Sequence, residues 1–222
     1  MSLTPIPPDI LPRALRRLGA ALSSGSPSGR ALAAIAASAR LHDMTADTPR
    51  HRADALALVG FLGMTAIDEA PSAAYSWDGA AVRTRSEACV LIHECAHWQV
   101  APPDRRCLPD FGLGAGPETG RVDDANAACR VGLADREREE LLASLLGILW
   151  EAALGHPAIL AFVDQNWLEG WDRPAAVDQF DRTVRELHGR GLVGEDGLPA
   201  GWRNVASGPA ATLDSRDTRS AY

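Results

Sequence analysis

The chain has 222 residues, a formal net charge of −7, 46% hydrophobic residues and 23% charged residues. That is an ordinary globular composition, long enough for one domain with decorations and a sizeable core. The acidic balance excludes general nucleic-acid binding. No apolar run is long enough to span a bilayer, and no N-terminal stretch has the form of a secretory signal, so the expectation is a soluble, cytoplasmic protein without membrane partners.

All 22 basic residues are arginine, which reads as genomic bias rather than chemistry. The four cysteines (Cys89, Cys95, Cys107 and Cys129) form no C-x-x-C pair. They signal neither a cysteine zinc site nor a disulfide framework, and fit a reducing compartment.

In chain order, Met1 to Pro12 is proline-rich. Asp9 to Leu22 has the spacing of a short amphipathic helix, with Arg13, Arg16 and Arg17 on its polar side. Ser23 to Gly29 (SSGSPSG) reads as a flexible linker. Residues 1–29 would then form a basic N-terminal helix and linker, and residues 30–202 the main body. Helices are expected over Arg30–Leu41 and Thr48–Leu62, with His42 and His51 as surface histidines. Ala73 to Arg85 looks like a β-hairpin turning at Asp78-Gly79.

Val90 to Asp110 carries the chemistry. Thr84 to Glu87 has the T-x-x-E capping form, so a helix should begin near Arg85 or Ser86, and Pro102-Pro103 must end it. Inside it stands His93-Glu94-Cys95-Ala96-His97. Residues four apart on a helix share a face, so the two imidazoles can grip one divalent ion. Glu94 falls beside them, where it can take a proton or support the ligand shell. Random placement of six histidines in 222 residues yields roughly 0.008 copies of H-E-x-x-H. The flanking Cys89, Val90, Leu91, Ile92, Cys95 and Ala96 make the helix apolar on nearly every face, hence buried. Buried histidines and a glutamate need partners, and a metal supplies them.

Asp104-Arg105-Arg106 reads as a polar turn. Leu108 to Gly120 is a Gly/Pro-rich loop without a phosphate-binding signature, of the kind that lines sites. Asp123 to Leu154 is the longest helical stretch, with a break near Gly132 and a stop at Gly155 and Pro157. Pro157–Trp171 and Pro174–Gly189 follow as helices, and residues 203–222 have the composition of a disordered tail.

A third metal ligand is required. Val100 and Pro103 stand where a metzincin needs Gly and His, which excludes that class. Glu140 is favoured, because Ala143, Ser144 and Gly147 let its helix press closely on the metal helix. Glu137 and Glu139 come next, and Asp110 is the other candidate. A solvated first turn favoured by the helix dipole accounts for at least two of the three glutamates.

His93-Glu94-Cys95-Ala96-His97-Trp98, then Arg105-Arg106, then Asp110-Phe111-Gly112, resembles the elongation factor P hydroxylase family. That family has H-E-x-A-H-W, an Arg pair and D-[YF]-G at fixed spacing. The resemblance implies a metal held by His93, His97 and a carboxylate, hydroxylation of a protein side chain, and elongation factor P as a partner. It covers about 20 residues and departs after Gly112, where Leu113-Gly114-Ala115 replace family aromatics.

The expected fold is mainly α (α+β), a zincin-like helical metal-binding domain with a small β-hairpin or sheet beside the HExxH helix. Three functions stay open. One is an iron-dependent hydroxylase-like enzyme in which Trp98 and the Leu108–Gly120 loop shape the entrance and Arg105 and Arg106 hold an acidic partner. The second is a zinc peptidase with Glu94 as general base. The third is a non-enzymatic helical module with a structural metal site.

Overall fold

The computed structural model describes residues 9–41 and 44–201. Eight α-helices lie among them: α1 Leu11–Ala21, α2 Pro27–Ser38, α3 Pro49–Phe61, α4 Ala88–Val100, α5 Val122–Ala127, α6 Leu133–Leu154, α7 Ala158–Asp164 and α8 Pro174–Gly189. Two three-residue strands, β1 Thr65–Ile67 and β2 Ala81–Arg83, pair in parallel, Thr65 opposite Ala81 and Ile67 opposite Arg83. The protein is therefore mainly helical with a minimal sheet. No helix of the described residues is long and apolar enough to cross a membrane. The four cysteines are unpaired.

Local chemistry explains most helix ends. The Thr48 hydroxyl accepts from His51 N while the His51 ring accepts from Thr48 N, a reciprocal cap in front of Pro49. α6 begins after extended Gly132 and ends at Gly155, whose φ of 75° is the left-handed C-terminal turn that glycine adopts without strain. α4 stops at Val100 because Ala101 precedes Pro102 and is extended.

α4 begins differently from the sequence expectation. The Thr84 hydroxyl donates to the Ile67 carbonyl, and Glu87 makes no side-chain cap. The first amide of the helix, Ala88 N, instead donates to the Asp47 carboxylate at 2.8 Å. The cap thus comes from a residue 41 positions upstream, and the helix starts two or three residues later than the T-x-x-E pattern suggests.

Three further corrections follow from the packing. Ser23 to Gly29 is a folded turn rather than a linker. The Ser26 hydroxyl caps α2 by accepting from Gly29 N, Pro27 opens the helix, and Ser28 is buried. α1 lays Ala14 and Leu18 into the common core and packs on α2 and α8. The hairpin is reduced to a single antiparallel bridge, Trp77 to Val82, across the Asp78-Gly79 turn, while the ladder of β2 goes to β1. The helix expected to reach Trp171 stops at Asp164, because Asn166 and Gly170 take left-handed backbone at φ 60° and 63°. The expected tail from 203 to 222 lies outside the described residues.

α4 and α6 form the most extensive interhelical contact, with α3 on the other flank of α4. A methyl built on Gly147 would stand 3.4 Å from His93 Cα, so α6 approaches the backbone of the HExxH helix as closely as side chains allow. Leu91, Ile92, Cys95, Ala96, Leu145, Leu146, Leu149 and Trp150 are completely buried around this seam.

A methyl on Gly29 would collide with the backbone carbonyl of Ser23. Gly→Ala inside a helix normally stabilises by up to about 1 kcal/mol. Here Gly29→Ala is expected to destabilise by about 1–3 kcal/mol, read as a lower midpoint in urea. A flexible linker would give no loss.

Candidate metal centre

The helical repeat brings His93 and His97 together on one side of α4, Nε2 to Nε2 at 3.0 Å. α6 presents Glu140 to both: its Oε2 lies 3.8 Å from His93 Nε2 and 3.4 Å from His97 Nε2. These three side chains form a group that can hold a metal ion. Ligand atoms ~2.1 Å from a tetrahedral ion stand about 3.4 Å from one another. The edges of 3.0, 3.4 and 3.8 Å bracket that separation, so the donor set fits one small divalent cation. The Glu140 side chain is 44% exposed and that of His97 only 6%, so the triangle is backed by the core and opens to solvent on the α6 side.

The electrostatics are those of a coupled acid–base cluster. Burial opposes ionisation of Glu140, but hydrogen bonds and charge from His93 and His97 win and hold its carboxyl well below the usual range. Burial also opposes charge on His97, yet Glu140, Glu94 and Glu139 raise it. His93 goes the other way, lowered first by burial and then by the neighbouring His97 charge. Both Nδ1 atoms are buried without a hydrogen-bond partner.

Glu94 is half-buried beside these ligands. Burial pushes its carboxyl up to about 7, helped by the charges of Asp110, Glu140 and Glu118 and opposed by His97. A carboxyl balanced near neutrality can both hold and accept a proton.

The remaining candidates separate clearly. Glu137 is exposed and fits the solvated first turn. Glu139 does not: it pairs with Arg105, and the two side chains are 12% and 10% exposed. Arg105 is accordingly not a solvated turn residue but a buried one, whose Nη1 donates to the Phe111 carbonyl at 2.7 Å. Arg106 lies 4.1 Å over the Trp98 ring and donates to the Ala101 carbonyl at 3.1 Å, so Arg105 ties the 109–112 turn to α6 while Arg106 braces the end of α4. Asp110 stands outside the His93, His97 and Glu140 group. Its carboxylate accepts from Thr119 Oγ1 at 2.7 Å, Gly116 N at 3.2 Å and Trp77 N at 3.5 Å, which spends it on shaping the 108–120 loop.

Asp110 and Phe111 sit in a four-residue 3-10 turn, Pro109–Gly112, with φ of 43° and 56°. Two consecutive non-glycine residues in the left-handed region cost about 1–3 kcal/mol each, and such strain persists only where surroundings impose it. The other described histidines are held by contacts away from this group. His156 is buried against Asp54, Nε2 to Oδ2 3.0 Å, with the His51 ring 4.2 Å away. His188 Nδ1 meets the Val193 carbonyl at 2.9 Å. His42 lies outside the described residues. Neither the Asp54–His156 pairing nor the burial of Arg105 has a local sequence signal, because each partner is distant in the chain.

With this geometry in hand, comparison with known proteins adds no relative: no family model, no curated protein and no solved structure matches the chain.

Glu151, further along α6, is 6% exposed, and burial pushes its carboxyl up to about 8. The folded state therefore keeps a proton that the unfolded chain releases near 4.5. Its contribution to stability is complete below that pH and is lost as pH rises through about 8. Glu151→Gln cannot ionise. Its thermal midpoint, measured on metal-free protein, is expected to gain on wild type from pH 5 to pH 9. A constant difference would contradict a buried, proton-holding Glu151.

Proposed function

We propose that the protein is a metal-dependent enzyme, with His93, His97 and Glu140 holding one divalent ion in a zincin-like pairing of helices, and that it acts on a protein side chain in the manner of an elongation factor P hydroxylase. The observation that carries this is the convergence of two imidazoles and one carboxylate, from helices distant in sequence, on a single point with an open side. Two histidines and a carboxylate on one face, with positions left free, is the donor set of non-haem iron oxygenases. Structural zinc sites close with four protein ligands. Among the described residues only three donors cluster here, which weighs against a purely structural ion. Bound iron would supply the redox chemistry that hydroxylation requires, with dioxygen as oxidant: one oxygen atom would convert a substrate C–H to C–OH, and the other would leave as water, taking two electrons and two protons from an external reductant. The protein's own part is to hold the ligands in place, to shield them from behind with the α4–α6 core, and to hold or accept a proton at the Glu94 carboxylate. The choice of elongation factor P as substrate rests on the resemblance around His93–Gly112.

A zinc peptidase is the second reading, and Glu94 favours it. A half-buried carboxylate on α4, next in sequence to one ligand and three residues before the other, is placed as a general base for hydrolysis needs to be.

Metal analysis after anaerobic and aerobic purification distinguishes the two. The hydroxylase reading predicts iron that is lost in air, and addition of one oxygen atom to elongation factor P, followed by mass spectrometry. Zinc that is stable in air, with peptide cleavage abolished by Glu94→Gln while metal content is kept, would replace it with the peptidase. Both readings predict that Glu140→Ala lowers metal affinity by at least tenfold; unchanged affinity would contradict both.

A further inference from the structure

The strained Pro109–Gly112 turn touches His97 of α4 directly and reaches α6 through Arg105. Phe111 is 1% exposed. Its ring stacks on His97, centroids 5.7 Å apart and planes 17° from parallel, and also on Trp77 at 5.5 Å and 3°. Trp77 is fixed in turn: its ring nitrogen donates to the Arg106 carbonyl at 2.6 Å, and its own carbonyl accepts from Asp110 N at 2.8 Å. The Phe111 carbonyl accepts from Arg105, and the other guanidinium nitrogen of Arg105 pairs with Glu139, the residue before Glu140. One residue thus acts on His97 through its ring and on the Glu140 turn of α6 through its carbonyl.

We infer that Phe111 is a positioning residue for the metal centre, orienting the His97 imidazole by stacking and setting the distance between His97 and Glu140 through Arg105 and Glu139. Two features make a ring at this place necessary. Ligand histidines ordinarily donate their second nitrogen to a carboxylate or carbonyl, which fixes the ring; His97 Nδ1 is buried and has no such partner. The stack supplies the missing orientation. The second feature is the backbone. Phe111 adopts φ 56° directly after Asp110 at φ 43°, a conformation that side chains other than glycine adopt rarely and that is retained where the surroundings over-determine it. The five hydrogen bonds on Asp110 and the Arg105 contact on the Phe111 carbonyl do so. The outcome is a buried ring stacked on His97.

This inference rests on the metal-site reading, and the experiment separates the two. Cobalt(II) is titrated into metal-free wild type, Phe111→Leu, Phe111→Tyr and Arg105→Lys, and the affinity and the visible ligand-field spectrum are recorded. Phe111→Leu is expected to lower affinity about 10–100-fold, the range for outer-shell partners of a metal site, and to shift the ligand-field bands. Phe111→Tyr, which keeps the ring, restores the wild-type spectrum. Arg105→Lys, which keeps the charge but loses the fork between the Phe111 carbonyl and Glu139, also weakens binding. Wild-type affinity and spectrum in Phe111→Leu would overturn the inference and leave the metal site standing. If Phe111→Leu fails to fold by circular dichroism, Arg105→Lys decides: unchanged binding there overturns it. Failure of wild type to bind cobalt overturns the metal reading itself, and this inference with it.

Discussion

The molecule depends on how closely α4 and α6 approach. His93 and His97 project from a largely apolar helix, and a buried imidazole such as His97, or a partly buried one such as His93, is costly unless something satisfies it. What faces them is set by Gly147, whose missing side chain lets α6 lie against the His93 backbone, and by Ala143, completely buried at the same seam. With the helices this near, Glu140 reaches both rings. A larger residue at 147 would move the carboxylate away from the imidazoles and leave three polar groups unmatched. The acid–base coupling of the cluster, and its fit to a cation, both follow from that one separation.

The block that resembles the hydroxylase family takes on a specific physical meaning in this setting. Arg105 and Asp110 are buried, and Arg106 is partly so. They bond to one another's loops: Arg105 to Phe111 and Glu139, Arg106 to Ala101 and Trp98, Asp110 to Trp77, Gly116 and Thr119. These contacts brace the region around the His93, His97 and Glu140 group, which could hold a metal ion.

Much of this could be read in the sequence where the cause is local. The four-residue spacing of the histidines, the prolines that end α4, the break at Gly132 and the left-handed stop at Gly155 are all short-range facts, and small residues after Glu140 correctly signalled a close helix pair. What escaped is non-local. Asp47 caps α4 across 41 residues, displacing a capping box that looked sufficient. β1 and β2 are three residues each, too short for any periodicity, and their parallel pairing depends on the intervening fold. Ser23 to Gly29 has the composition of a linker but the contacts of a helix start, because Ser26 and Pro27 are also good N-terminal residues. Arg105 looked solvated because its partner, Glu139, stands 34 positions away.

The most direct measurement of the central claim is X-ray absorption spectroscopy at the edge of the bound metal, on protein loaded with one equivalent. The account predicts a first shell of nitrogen and oxygen only, about 2.0–2.2 Å from the ion, with imidazole scattering from two histidines that falls to one in His97→Ala. A sulfur shell at about 2.3 Å, or imidazole scattering unchanged in His97→Ala, would contradict it.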